Sequence, residues 1–267
     1  MSRLAVLTAA RGRHEHLAAQ RTTLALSGRA PDLRVVVAMG DDEIAGPDVV
    51  HLDVGPDDPL PVGAARNLAA ATAIEAGADT LVFLDVDCLV GPGTLAAYEA
   101  AVADRPSVVW CGPVTYLRAE HRPYPLDALA ALDDPHPVRP APRPGTRETS
   151  DDWELFWSLS FALSADAWER AGGFDETYVG YGAEDTDLGQ RFRAVGLGLG
   201  WVGDAPAYHQ HHPVSDPPVE HVDDILRNGR LFAERWGWWP MAGWLEALAG
   251  RGLVEPDGAG GWQGVPA

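Results

Sequence analysis

Along the first hundred positions, short unbroken apolar runs alternate with longer stretches of helical spacing. Leu4 to Thr8 reads as a strand, His14 to Leu26 as a helix, and Arg34 to Ala38 as a second strand. Val49 to Val54 predicts a short strand, Val62 to Ala76 an Ala-rich helix closed by Gly77, and Thr80 to Leu84 a buried strand. Gly91-Pro92-Gly93 breaks the chain before a helix at Thr94 to Ala103, and Ser107 to Trp110 returns as a strand. Strands alternating with helices predict an α/β fold, with a mostly parallel central sheet flanked by helices on both faces.

From Arg118 to Ser150 this rhythm stops. Seven prolines fall between Pro123 and Pro144 with little periodicity. The segment reads as a poorly ordered surface loop or, more sharply, as a mobile lid over a site. Beyond it, Asp151 to Trp157 looks helical, which would set Trp153 and Trp157 on one face, for core packing or for stacking on a sugar or aromatic group. Leu159 to Leu163 reads as a strand, Ser164 to Ala171 as a helix capped by Ser164, and Gly198 to Val202 as a strand. Val219 to Trp236 has helical spacing, with Trp236, Trp238 and Trp239 expected to anchor it to the core. Gly258 to Ala267 reads as a frayed tail.

Composition narrows the partners. A net charge of −19 leaves no basic stripe for nucleic acid and disfavours anionic lipid. All basic charge is Arg; the chain has no Lys. Cys88 and Cys111 are too few for a disulfide framework, which makes the cytoplasm the default compartment. No signal peptide and no apolar run long enough for a membrane span are expected.

Chemistry concentrates in three places. The strand Leu81-Val82-Phe83-Leu84 runs into Asp85-Val86-Asp87. Two carboxylates at the C-terminal end of a buried strand call for a cation, and hard oxygen ligands suit Mg²⁺ or Mn²⁺ carrying a nucleotide diphosphate. A glycine-rich stretch, Gly172 to Gly182, then delivers Glu184, Asp185 and Asp187 into the first turn of a helix, with Tyr181 inside the loop. Helix-dipole stabilisation accounts for one or two of these carboxylates, and a general base is the alternative use. Last comes His209-Gln210-His211-His212, either a surface cluster or the remainder of a metal shell.

In their order and spacing these pieces resemble a metal-dependent glycosyltransferase of the GT-A (nucleotide-diphospho-sugar transferase) fold. They are most similar to the β-1,4-galactosyltransferase family and its bacterial family-2 relatives. Arg11-Gly12-Arg13-His14-Glu15-His16-Leu17 resembles the family's Arg-x-Arg-x-Glu-His-Leu run, and Asp85-Val86-Asp87 its Asp-Val-Asp. Gly172 to Asp187 resembles the Gly-Gly…Gly-(aromatic)-Gly-x-Glu-Asp-x-Asp signature, and His209-x-x-His212 the metal-binding histidine segment.

The resemblance implies a role for each matching position. Arg11 and Arg13 would contact the nucleotide, cradled by the loop from Thr8 through Ala10 to Gly12, with Asp53 near the uracil or ribose. Arg66 would lie on the diphosphate, Asp85 and Val86 beside the ribose or metal, and Asp87 on the metal with His212 and His209. Asp185 would be the base that deprotonates the acceptor hydroxyl, and Glu184 would hold the sugar or acceptor. Tyr181, Gly182 and Trp157 would face the acceptor. Tyr181 stands where the family has Trp, and Ala183 where it has Gly. These departures bear on donor and acceptor identity.

The implied protein is a soluble bacterial enzyme using Mn²⁺ (or Mg²⁺) and a nucleotide-sugar donor, UDP-linked. It would act by inverting displacement on a saccharide, small-molecule, peptide or lipid-linked acceptor. Residues 1–239 would be the transferase domain, with a nucleotide half at 1–104, an acceptor and metal half at 105–239, and a C-terminal helix and tail at 240–267. A sugar-1-phosphate nucleotidyltransferase and a catalytically silent sugar-nucleotide binder are the rival expectations.

Overall fold

The computed structural model describes residues 2–266. The N-terminal half runs β1 (Leu4–Ala10), α1 (His14–Leu26), β2 (Leu33–Met39), β3 (Val49–Leu52), α2 (Val62–Glu75) and β4 (Thr80–Leu84). A short β5 (Cys88–Val90), α3 (Thr94–Asp104), β6 (Val108–Cys111) and β7 (Val114–Tyr116) follow. Then come β8 (Arg147–Ser150), β9 (Ser160–Ser164), α4 (Ala165–Ala171), α5 (Glu184–Ala194), β10 (Gly198–Val202) and β11 (Ala207–His209). The chain closes with α6 (Val222–Trp236), α7 (Ala242–Gly250), β12 (Val254–Pro256) and β13 (Trp262–Gly264).

Eight strands form one sheet in the order β3-β2-β1-β4-β9-β6-β10-β8. The β1–β4 half is parallel throughout, β6 and β10 pair in parallel, and β9 and β8 run against their neighbours. β4 shows why its sequence is apolar at consecutive positions. Leu81 and Phe83 enter the core on one face of the sheet, while Val82 and Leu84 enter the core on the other. Phe83 stacks on Phe161 of β9 at 4.6 Å, and full burial of such a ring stabilises the fold by about 1.5–3 kcal/mol.

A second sheet was not legible in the sequence. β11 lies between β5 and β7, so that His209 is opposite both Cys88 and Tyr116. Each of these strands has three residues, too short for a periodic signal.

Three expectations are corrected. The proline-rich segment is built into the fold: it holds two 3₁₀ turns and the edge strand β8, and it buries Leu129 and Arg139. The stretch 151–157 is a single 3₁₀ turn at Trp153–Leu155, so Trp153 and Trp157 do not share a helical face. Trp153 packs with Phe156 and Phe192 in the core, whereas Trp157 is half-buried. The tail is a β12–β13 hairpin through Gly264, with Trp262 packed against the Ile225, Leu245 and Leu248 cluster. Trp236, at the end of α6, and Trp238 pack against a neighbouring cluster around Tyr178 and Phe232, and Trp239 against the Ile225 cluster, outside the two main cores. Among the described residues no helix is long and apolar enough to cross a membrane.

Candidate active site

β1, β2 and β4 are parallel, so their C-terminal ends open on one edge of the sheet, where α/β folds bind ligands. At this edge the chain after β1 is fixed by Asp41, which accepts from Gly12 N at 2.7 Å and lies 2.9 Å from His14 Nε2. Arg13 takes a left-handed conformation (φ 51°) to start α1. The Arg11 guanidinium donates to the Gly55 and Pro56 carbonyls, each at 3.1 Å. Asp53 is exposed just beyond β3. Thr8, at the start of this loop, is 2% exposed, with Oγ1 3.0 Å from the Leu84 carbonyl and 3.1 Å from Gln20 Oε1, so its side chain ties β1 to β4 and α1. Ala10 is likewise buried, and Val86 packs against the same small cluster as Ala10 and Leu17.

The turn after β4 is held from behind. Gln20, buried on α1, donates to the carbonyls of Asp85 (2.7 Å) and Cys88 (3.2 Å). Gln210 N donates to the Asp87 carbonyl at 2.7 Å, which locks the end of β11 to the acidic turn. The result is a cluster of Asp87, His209 and His212 whose ligand atoms all lie within 4.8 Å of one another. His209 Nε2 is 3.5 Å and His212 Nε2 3.3 Å from the two Asp87 carboxylate oxygens. Burial raises the Asp87 carboxyl, but the His212 hydrogen bond and the charges of both histidines outweigh it and hold it below the usual range. Burial lowers the His209 pKa, favouring the neutral ring that ligates metal. Two imidazoles and a carboxylate suit Mn²⁺ and related divalent ions. His211 stands outside the cluster, its backbone N–H given to Tyr124 Oη at 3.1 Å.

Asp85 makes a different contact. Arg66, buried on α2, donates to it at 2.5 Å and lies 3.7 Å from Glu184. One guanidinium thereby joins the Asp85 turn to the acidic start of α5. Burial, with the neighbouring Asp185 charge, pushes Glu184 up to about 7 against the pull of Arg66. Asp185 is raised by burial too, while Arg66 and the Thr186 N–H (2.7 Å) oppose the shift. Two adjacent carboxyls with raised pKa values, joined through Arg66 to the Asp85 turn, suit proton transfer and hydrogen bonding to a hydroxyl.

Asp187, the third carboxylate, has a structural task instead. It is 0% exposed and accepts from Arg235 Nη1 (2.9 Å) and Trp236 Nε1 (2.8 Å), which ties α5 to α6. The glycine loop ahead of α5 is clamped by Asn228, a buried residue outside the acidic and histidine segments singled out in the sequence. Its Nδ2 lies 3.0–3.2 Å from the carbonyls of Val179, Tyr181 and Gly182. A polar residue on the apolar face of a helix was the available signal. Gly182 has φ +90°, and a Cβ there would meet Met241 Sδ at 2.8 Å. Tyr181 stacks on His221 (4.4 Å) and near Trp244 (5.5 Å).

Part of this region matches a known family. A family model described as the N-terminal domain of galactosyltransferase matches residues 148–213, the span holding Glu184, Asp185, His209 and His212. The chain resembles the galactosyltransferase family. Two curated relatives, validoxylamine A glucosyltransferases of Streptomyces hygroscopicus subsp. jinggangensis and subsp. limoneus, are each 29% identical over 224 residues, covering 75% of this chain. The chain spans about half of their length, 51% and 48%. The fold is that of GT-A glycosyltransferases. GalNAc-T7 with UDP, GalNAc and Mn²⁺ matches with a TM-score of 0.57 at 13% identity, over 89% of this chain and 49% of that one. S. aureus TarS 1–349 in complex with UDP gives 0.57 at 15%, over 88% and 65%.

Proposed function

We propose that this chain is a metal-dependent, inverting glycosyltransferase that moves a hexose from a UDP-linked donor to a hydroxyl acceptor. The reading is carried by one observation: Asp87, His209 and His212 converge at the same sheet edge where Arg66 bridges Asp85 and Glu184. Solved structures of similar fold with UDP and Mn²⁺ support it.

Asp87, His209 and His212 would hold the Mn²⁺ (or Mg²⁺). When bound, the ion offsets charge on the donor diphosphate. Arg11 and Arg13 would line the nucleotide side and Arg66 the diphosphate, while its bond to Asp85 holds that carboxylate for the ribose. Asp185 takes the acceptor hydroxyl proton onto a carboxylate oxygen as the anomeric carbon is attacked from the face opposite the leaving group. Glu184, protonated over part of the neutral range, donates a hydrogen bond to a sugar or acceptor hydroxyl. Residues 1–104 would supply the donor half and 105–239 the metal and acceptor half.

The test is product analysis with UDP-, GDP- and dTDP-hexoses and Mn²⁺. Release of a nucleoside diphosphate with an inverted glycoside is the expected result. Pyrophosphate-dependent turnover would indicate a nucleotidyltransferase, and nucleotide binding without any product a silent homologue.

A further inference from the structure

A line of rings leads away from the metal cluster. His209 stacks on Tyr116 with centroids 4.7 Å apart, Tyr116 lies 5.5 Å from His136, and His136 meets Trp157 edge-on at 5.2 Å. Behind Trp157 the Arg139 guanidinium sits 5.1 Å from that ring and 4.8 Å from the ring of Trp201. Arg139 is 4% exposed, and none of its three guanidinium nitrogens has a hydrogen-bond partner among the described residues. Burying a cation this way is costly, and the two indole faces, with the polarisable Cys111 thiol beside it, offset part of that cost. Such an anchor fixes Trp157 and the proline-rich segment relative to β10.

The rings in front of the anchor are accessible. Tyr116 is 44% exposed, and His136 and Trp157 are half-buried. They come from three separate parts of the chain: the end of β7, the proline-rich segment, and the turn before β9. We propose that Tyr116, His136 and Trp157 form the acceptor ledge, taking a ring that is apolar on its face and hydroxylated at its edge, a saccharide or cyclitol, with Arg139 as the positioning residue. Such rings lay C–H groups on aromatic faces, while the Tyr116 hydroxyl and the His136 nitrogens can bond rim hydroxyls. Contact between Tyr116 and His209 sets the ledge beside the cluster that would hold the donor diphosphate. The inference rests on the transferase reading above and names the acceptor class for the same site.

The test is saturation-transfer NMR of the full chain with methyl glucosides, methyl galactosides and myo-inositol, in the presence of UDP and Mg²⁺. UDP affinity is measured on the same samples by calorimetry. At least one ring compound should bind saturably, and Tyr116→Leu and Trp157→Leu should each weaken it about fivefold or more. UDP affinity should stay within about twofold, and Trp157→Phe should recover most of the loss. Arg139→Met should repeat this split between ring and UDP affinity, whereas a general loss of stability lowers both. If Trp157→Leu does not fold, the exposed Tyr116 decides. Ring binding unchanged in Tyr116→Leu and His136→Ala, no ring binding at all, or UDP affinity falling in step with ring affinity each overturns the proposal. Absence of UDP binding by the unmutated protein counts against the transferase reading, while ring binding that follows Tyr116 and Trp157 still upholds the ledge.

Discussion

His209 Nε2 lies 3.5 Å from an Asp87 carboxylate oxygen, although the two residues come from distant parts of the chain. The three-stranded sheet makes the contact, because β11 pairs His209 with Cys88, the residue that follows Asp87. Removing any member of the cluster should therefore weaken Mn²⁺ binding. Asp87→Ala and His212→Ala are expected to lower Mn²⁺ affinity about 10- to 100-fold or more in calorimetric titration. Unchanged affinity in both variants would mean that the ion binds elsewhere.

Asp185→Asn removes the proposed base while keeping its volume. Transfer should fall about 10²- to 10⁴-fold with UDP affinity retained. Single-turnover kinetics separate the two effects, and a variant that turns over like the parent excludes Asp185 from proton transfer.

Glu184 should make stability depend on pH. Burial and the neighbouring Asp185 charge push its carboxyl up to about 7 from an ordinary value of 4.5. Below 4.5 both states are protonated and the group costs nothing. As pH rises toward 7 the unfolded chain ionises first, so stability falls, and above 7 the full cost remains, on the order of 3 kcal/mol. In the metal-free protein Glu184→Gln is expected to raise Tm at pH 8 and leave it nearly unchanged at pH 4. Equal melting at pH 8 would show that the folded carboxyl is not raised.

Asp187→Ala takes the acceptor from the Trp236 indole N–H and from one nitrogen of Arg235, which keeps Asp175, and should cost about 1–3 kcal/mol. Urea unfolding measures this directly. A loss below about 1 kcal/mol would place the α5–α6 link elsewhere.

Much of the fold was legible in the chain. β4 reads as a buried strand because both of its faces are covered, and β10 follows its predicted bounds, Gly198–Val202. Ser164 caps α4 as its side chain implies, accepting from Ala167 N at 3.1 Å. The acidic turn, the Glu184–Asp185 pair and the histidine pair were legible as chemistry. Their partition was not. Asp187 and Asp185 look alike in sequence, yet one is spent on α6 and the other lies beside Arg66 and Glu184.

The sequence by itself determined the local terms: where the longer strands and helices lie, where backbone torsion demands glycine, and which residue types can hold a cation or move a proton. Those depend on side-chain periodicity and intrinsic chemistry within a few residues. Only the tertiary structure decided which carboxylate meets which cation, that the proline-rich segment is packed around Arg139, and that the last residues form a hairpin. These outcomes depend on contacts between residues far apart in the chain, which three-residue strands and a single buried guanidinium do not announce in any local pattern.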